Sequence, residues 1–326
     1  MKKLITTGLV SLATILTTSF VTEQKVEAAF PSKPITIICP WSAGGGTDRT
    51  ARFIADQLSA ELGQPVKVLN QTGGAGAVGH NAAAMAKPDG YTIGNLTFEV
   101  NTLKYLGYSK ITPADYKPIL QFNQDAAAVT VSADSPYNTT KELLDAIKKE
   151  PAGTFVFSGS GIGTVWDLSR IGMLNDYGIA PDQVKYVPSK GAAPAITELL
   201  GKHVDVITCS YPEVAPQVEA GKLKTLAVMA DARNPQFDNI PTLKEQGIDF
   251  SYGTWRGFAV PLDTPDEAVE VLQKAMKNVV ESDEFIKFMN DAGFGIKIRV
   301  GDEFADFMKV QFDGLAEIFK LSGYGK

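Results

Sequence analysis

The sequence is short of the residues that build reactive centres: its 326 residues include only 2 histidines and 2 cysteines. Neither His80 nor His203 lies in an H-x-x-x-H pair or a Cys/His cluster, so a zinc site lacks ligands. Cys39 and Cys209 sit far apart in apolar runs, ITIIC and VDVITC, which marks them as buried thiols rather than a disulfide framework or a redox pair. An excess of positive charge is also missing. With Lys and Arg totalling 31 against 37 Asp and Glu, the formal charge is -6, which excludes a sequence-independent grip on nucleic acid. No glycine stretch is followed by Lys-Ser or Lys-Thr, so there is no P-loop, and neither Ser158 nor Ser160 has the two flanking glycines of G-x-S-x-G. Catalytic and metal chemistry are left without candidates. Past the N-terminus, no stretch reaches the roughly 18 to 20 apolar residues of a membrane span.

What is present begins with an address. Lys2 and Lys3 precede an apolar stretch, Leu4 to Val21, diluted by Ser and Thr, and small residues follow near Ala28-Ala29. Residues 1–29 therefore read as a signal peptide cleaved near Ala28-Ala29, and the Ser and Thr content argues against a membrane anchor. No cysteine stands at the cleavage point to carry a lipid. The expectation is an exported, soluble chain.

The mature chain repeats one unit: a short apolar run, a turn of small residues, and a helical segment. The first copy is ITIIC, the loop PWSAGGGT and DRTARFIADQLSAEL (48–62), in which Phe53, Ile54, Leu58 and Leu62 recur at helical spacing before Gly63. The second is PVKVLN, QTGGAGAVG and a helix ending at Pro88, followed by strand YTIGNL (91–96). The third is TFVF, SGSGIGT and VWDLSRIGMLNDY, and the fourth is VKYVPSKG and AAPAITELL, with strands VDVITC and KTLAVMA after it. Such alternation predicts an α/β protein with mainly parallel sheets and flanking helices. Thr264-Pro265-Asp266-Glu267 reads as a capping box opening a largely helical tail with one strand, GIKIRV, which must pack on one of the two halves.

Two readings compete for the glycine loops. Gly74-Ala75-Gly76-Ala77-Val78-Gly79, with Glu99 twenty residues on, has the outline of a dinucleotide fingerprint and supports a nucleotide-dependent oxidoreductase. Export and the extra residues Gln71-Thr72-Gly73 speak against it. The other reading takes four loops together, 43–48, 73–79, 158–164 and 189–193, each leading into a helix whose first N–H groups lack partners and attract anions. Hydrogen bonds to a charged group contribute about 1.5 to 3 kcal/mol each. Three or four, set against the cost of immobilising a small ligand, give the -8 kcal/mol or so of micromolar binding. That points to a carboxylate held in a cleft by backbone, with no metal and no cofactor.

Seven segments in order carry a family resemblance: FPSKPITIICPWSAGGGTDRTAR, NQTGGAGAVG, PDGYTIG, SGSGIGT, VPSKGAAPAITELLGKHVDV, AGKLKTLAVMA and GTWRGFAVPLDTP. The chain resembles the periplasmic solute receptors of the tripartite tricarboxylate transporters, also called Bug proteins. The resemblance implies a two-lobed periplasmic-binding-protein fold of type II kind with a hinge-closing cleft, lobe 1 being residues 30–130 plus 253–326 and lobe 2 residues 131–252. It implies a non-enzymatic, monomeric periplasmic receptor that captures a small organic carboxylate, a di- or tricarboxylate or an aromatic acid, for separate membrane subunits. Carried over by position, the ligand loops correspond to Ala43, Gly44, Gly45 and Asp48 in lobe 1 and to Ser160, Gly161, Gly163, Thr164, Ala192 and Ala193 in lobe 2, with Gly76 and Ser158 counted beside them. Asp48 either faces a polar group of the ligand or caps its helix with Thr47. Where relatives commonly carry histidine this chain has Asp167, which either faces the cleft and disfavours an anionic ligand end or points outward and complements the helix dipole, the reading adopted here. Trp41, Phe98, Phe122, Trp166 and Tyr211 stand near these loops as candidate walls for an aromatic ligand, of which Trp41, Phe98 and Tyr211 are counted in the site.

Overall fold

A computed structural model describes the chain from Phe30 to Ser322, with side chains as far as Leu315. The proposed export signal, residues 1–29, lies outside the described residues. The first half of the order is β1 (Ile35–Cys39), α1 (Gly46–Leu62), β2 (Val66–Asn70), α2 (Ala77–Ala84), β3 (Thr92–Thr97) and β4 (Tyr116–Ser132). Then come α3 (Thr140–Lys149), β5 (Val156–Ser158), α4 (Val165–Asp176), β6 (Lys185–Tyr186), α5 (Ala192–Leu200), β7 (Val206–Ser210), α6 (Tyr211–Glu219) and β8 (Leu223–Val228). β9 (Gly253–Pro261), α7 (Asp266–Val280), α8 (Asp283–Asp291), β10 (Ile296–Val300) and α9 (Asp302–Ser322) complete it.

The strand order is β2-β1-β3-β9-β4-β7-β5-β6, with β8 and β10 also on β4. β4 is the spine. From Tyr116 to Ala126 it pairs with β9, and from Ala127 onward with β7 and β8, so one continuous strand runs through both halves of the molecule. Pro118, which has no N–H to give the ladder, sits at a register shift against β9.

The sheet is mixed, which corrects the expectation of mainly parallel sheets. β1 pairs in parallel with β2 and β3, as β5 does with β6 and β7, but every pairing made by β4 and β9 is antiparallel. The physical reason is the crossing between halves: each half is built from parallel strand-helix units, and the strands that pass between them run against their neighbours.

Two main apolar clusters fill the molecule, one within the first half and a larger one that fills the second half and extends into the first. Ile35, Ile37, Ile54, Leu58, Phe122 and Phe258 are fully buried in the first, where the apolar face of α1 packs on the sheet and α7. Phe157, Leu174, Leu199, Val206 and Ile207 anchor the second. Gly63 ends α1 at φ 63, a conformation that glycine adopts without a Cβ penalty. The tail packs on the first half, α7 against α1 and α9 against β4 and β10. Its capping box does not form: Pro265 is the N-cap of α7, and the Thr264 hydroxyl donates to Pro261 O instead.

Candidate functional site

Two of the glycine loops share one device. In the first, Gly44 at φ 83 turns the chain, and its N–H donates at 2.8 Å to the carboxylate of Asp48, four residues on in the first turn of α1. In the second, Gly163 at φ 73 donates at 2.9 Å to Asp167, again four residues on, in the first turn of α4. Both carboxylates are then held by an arginine of their own helix: Arg52 reaches Asp48 at 2.8 Å and Arg170 reaches Asp167 at 2.7 Å. Burial pushes the Asp48 pKa up, but hydrogen bonds from Arg52, Gly44 and Asn70 outweigh this and leave it below its ordinary value. Asp48 closes the turn before its helix with Gly44, not with Thr47, and Asp167 does not point outward as expected but is buried against Gly163 N–H and Arg170; neither side chain is free to meet a ligand.

With these caps in place, the loops face one another across the molecule. The N–H and Oγ of Ser42 both donate to Lys190 O, at 3.3 and 3.1 Å, and Arg49 Nη1 donates to Pro212 O at 3.1 Å. A Cβ on Gly161 would lie 3.0 Å from that of Ala75, so the GAGAVG and SGSGIGT loops touch only because one side is glycine. Between the halves lies a cavity of about 20 Å³, room for about one water molecule. The starts of three helices line it: Gly46 of α1, Val165 of α4, and Gly191 and Ala192 at α5.

Two of those starts are met by a carboxylate from the opposite half. Gly46 N–H donates at 3.0 Å to Glu213 Oε1, whose Oε2 accepts from Ser210 at the start of α6. Val165 N–H donates at 3.1 Å to Glu99 Oε1, and Glu99 Oε2 accepts from the Thr97 hydroxyl at 2.5 Å. Behind them lies Arg256 of β9, 2% exposed, bonded to Asp125 and Asn123 of β4 and to Thr47, with Nη2 3.7 Å from Glu213. Gly46 makes this approach possible, since a Cβ there would fall 2.7 Å from Arg256 Nη2.

The sequence candidates distribute unevenly around this cavity. Trp41, Gly45, Ser160 and Ala192 line it, as does Trp166. Gly76, whose Cβ would press on the Trp41 ring, lines with Gly161 a neighbouring hollow of about 400 Å³. Three stand elsewhere: Phe98 packs edge-on against Tyr252, the Ser158 hydroxyl donates to Val187 O, and Tyr211 packs on Phe237. Phe122 is stacked on Phe258 in the core. Ala43, Gly44, Gly163, Thr164 and Ala193 belong to the loops but not to the wall; the Thr164 hydroxyl is turned back to Gly161 O. Glu213, Arg256, Thr97 and Thr254 are wall residues that the sequence reading missed. An arginine inside the apolar strand WRGFAV was the available signal, because an arginine buried there requires a carboxylate partner.

The thiols are buried and free: burial pushes the Cys39 pKa up to about 12 and that of Cys209 well above its ordinary value. No helix among the described residues is long and apolar enough to cross a membrane, and no group of three or more His, Cys, Asp or Glu that could hold a metal occurs among them.

The family model described as the tripartite tricarboxylate transporter family receptor matches residues 50–321. The chain belongs to that family. Within it, a Cupriavidus necator protein described as a UPF0065 protein in the gbd 5' region is 32% identical over 253 residues, 77% of this chain and 76% of the relative. Among solved structures, a TctC solute-binding protein from Polaromonas is 38% identical over 88% of this chain and 99% of its own, with a TM-score of 0.63. The periplasmic binding protein BugD is 29% identical over 91% of this chain and 100% of its own, with a TM-score of 0.85. The structures of the receptor family share the α/β architecture of this chain. They leave the oxidoreductase reading without support, since the glycines of 74–79 serve packing: a Cβ on Gly79 would collide at 2.7 Å with Gln71 O and Pro40.

Proposed function

We propose that this receptor, without catalytic role, closes two lobes on a small organic carboxylate in the periplasm and, as a monomer, delivers it to the membrane subunits of a tripartite tricarboxylate-type transporter. The observation that carries this reading is the convergence of three helix starts, one from the first half and two from the second, on a single cavity. Backbone N–H groups at such termini bind anions without a cation nearby. The lobes are residues 30–130 with 253–326 and residues 131–252. The hinge falls where β4 changes partners, at Ala126–Ala127, beside the entry to β9.

Because the cavity between closed lobes has room for about one water, an organic acid enters only when the lobes part. Closing again brings N–H groups of both lobes onto the ligand and excludes water, so differential binding to the closed state drives the hinge.

The test is thermal unfolding with citrate, dicarboxylates, aromatic acids and NADH. A ligand at about 100 times its Kd adds about 2.7 kcal/mol of stability, so a carboxylate that binds raises the melting temperature. A rise with NADH and none with any acid overturns the reading. For the loop, Gly45→Val is informative because a Cβ there meets only ordinary contacts, 3.5 Å from Ser42 O and 3.8 Å from Glu213 Oε1. The branched methyls narrow the cavity, and unchanged affinity for a bound acid removes this loop from the site.

A further inference from the structure

The charges around the cavity narrow the kind of acid it takes, an inference that rests on the receptor reading. Four carboxylates buried among the described residues each have an arginine: Asp48 has Arg52, Asp167 has Arg170, and Asp125 and Glu213 share Arg256 at 2.5 and 3.7 Å. Glu99, 1% exposed and lining the cavity, has no cationic partner among the described residues. A fully buried carboxylate without a counter-ion is rare, because desolvating the charge costs several kcal/mol that only a partner offsets.

The hydrogen-bond partners of Glu99 are neutral groups. The Thr97 hydroxyl donates to Glu99 Oε2 at 2.5 Å, and Thr97 Oγ1 itself accepts from Trp41 Nε1 at 3.2 Å and lies 3.3 Å from His80 Nε2. The other Glu99 oxygen accepts from Val165 N–H. Burial meanwhile pushes the Glu99 pKa above its ordinary value, an energetic debt that a nearby cation would offset. Arg256, the one basic side chain in the wall, is already committed to Asp125, Asn123 and Thr47.

A purely anionic ligand would bring no cation to Glu99 and would add like charge beside Glu213. The helix starts make the same division. Those of α1 and α4 already hold Glu213 and Glu99, whereas α5 has no capping side chain and no acidic residue in its first turn, and its Gly191 and Ala192 line the same cavity. We propose that the ligand is a zwitterion, a small carboxylic acid carrying a protonated amine. Its ammonium stands against Glu99 with Glu213 beside it, and its carboxylate lies at the start of α5. Glu99 is thus the residue that sets specificity.

The test is calorimetric titration of the purified receptor with pairs of acids that share a skeleton of three to six carbons and differ in the amine, among them L-glutamate against glutarate and 4-aminobutyrate against butyrate. The expected result is that at least one amino acid binds at least about tenfold more tightly than its partner, since hydrogen bonds to charged groups are worth about 1.5 to 3 kcal/mol. Glu99→Gln is expected to erase that preference, weakening the amino acid and not the plain acid. The wild-type comparison stands by itself if the variant does not fold. Equal or tighter binding of the plain acids, or binding of citrate alone, overturns the zwitterion and leaves the receptor reading intact. Binding of no acid at all sinks both.

Discussion

Arg256 reaches across the molecule more than any other side chain at the cavity: it joins β9 to β4 through Asp125 and approaches Glu213 of α6. Removing one partner of a buried pair leaves the other charged and unsolvated, so Arg256→Met is expected to lower unfolding free energy by about 3 to 5 kcal/mol, read from denaturant melts. Adding Asp125→Asn should recover part of that loss; strict additivity of the two costs would show that the pair is not coupled. Glu99 predicts the opposite sign. Its folded pKa is raised by burial, so the ionised form carries a penalty in the folded state above that pKa, and the penalty disappears below its ordinary value of 4.5, where both states are protonated. Glu99→Gln, which keeps an acceptor for Val165, should therefore melt higher than wild type near neutral pH, with the gap closing as pH falls to about 4.5. These residues show where a sequence stops being readable. The glycine loops announce themselves because turn chemistry is local, but the pairing of Arg256 with Asp125, and of Glu99 with Val165, is decided by which strands and helices meet, which no nearby residue reports.

At the scale of elements, the strand-helix units were legible because each satisfies itself locally: an apolar run, a turn with a required glycine, and a helix with an apolar stripe. β4 was not. Its seventeen residues, YKPILQFNQDAAAVTVS, hold a proline, three consecutive polar or acidic residues (Asn123, Gln124 and Asp125) and three alanines, a pattern that matches neither alternation nor a buried run. It is a strand because β9, β7 and β8 pair with it from distant parts of the sequence. The crossover is tightest at Gly253, opposite Ala126, where a Cβ would lie 2.1 Å from Asp125 O. Neither strand can yield without disturbing the ladder, so Gly253→Ala is expected to cost about 1 to 3 kcal/mol in denaturant melts. A variant as stable as wild type would show that the two strands separate there without strain.

For the molecule as a whole, the halves meet through polar contacts at the glycine loops and also through apolar packing, Phe98 of the first half against Tyr252 of the second among it. If the halves part as proposed, they turn about the side on which that apolar packing and the β4 crossing lie, and open at the glycine loops. The hinge can then be tested apart from ligand chemistry by obstructing closure. Gly161 offers the place: it touches Ala75 of the opposite half, and its backbone lies outside the left-handed region, so a side chain there is no strain in itself. Gly161→Phe should hold the lobes apart. Its scattering in solution is expected to show a larger radius of gyration than wild type. Its melting temperature should move little, because the wedge enters neither core. Affinity for any bound acid should fall in proportion to the closed fraction, so a variant closed one tenth of the time binds about tenfold more weakly. An unchanged radius together with unchanged affinity would mean that the loops at 73–76 and 158–164 do not mark the closing edge of the cleft.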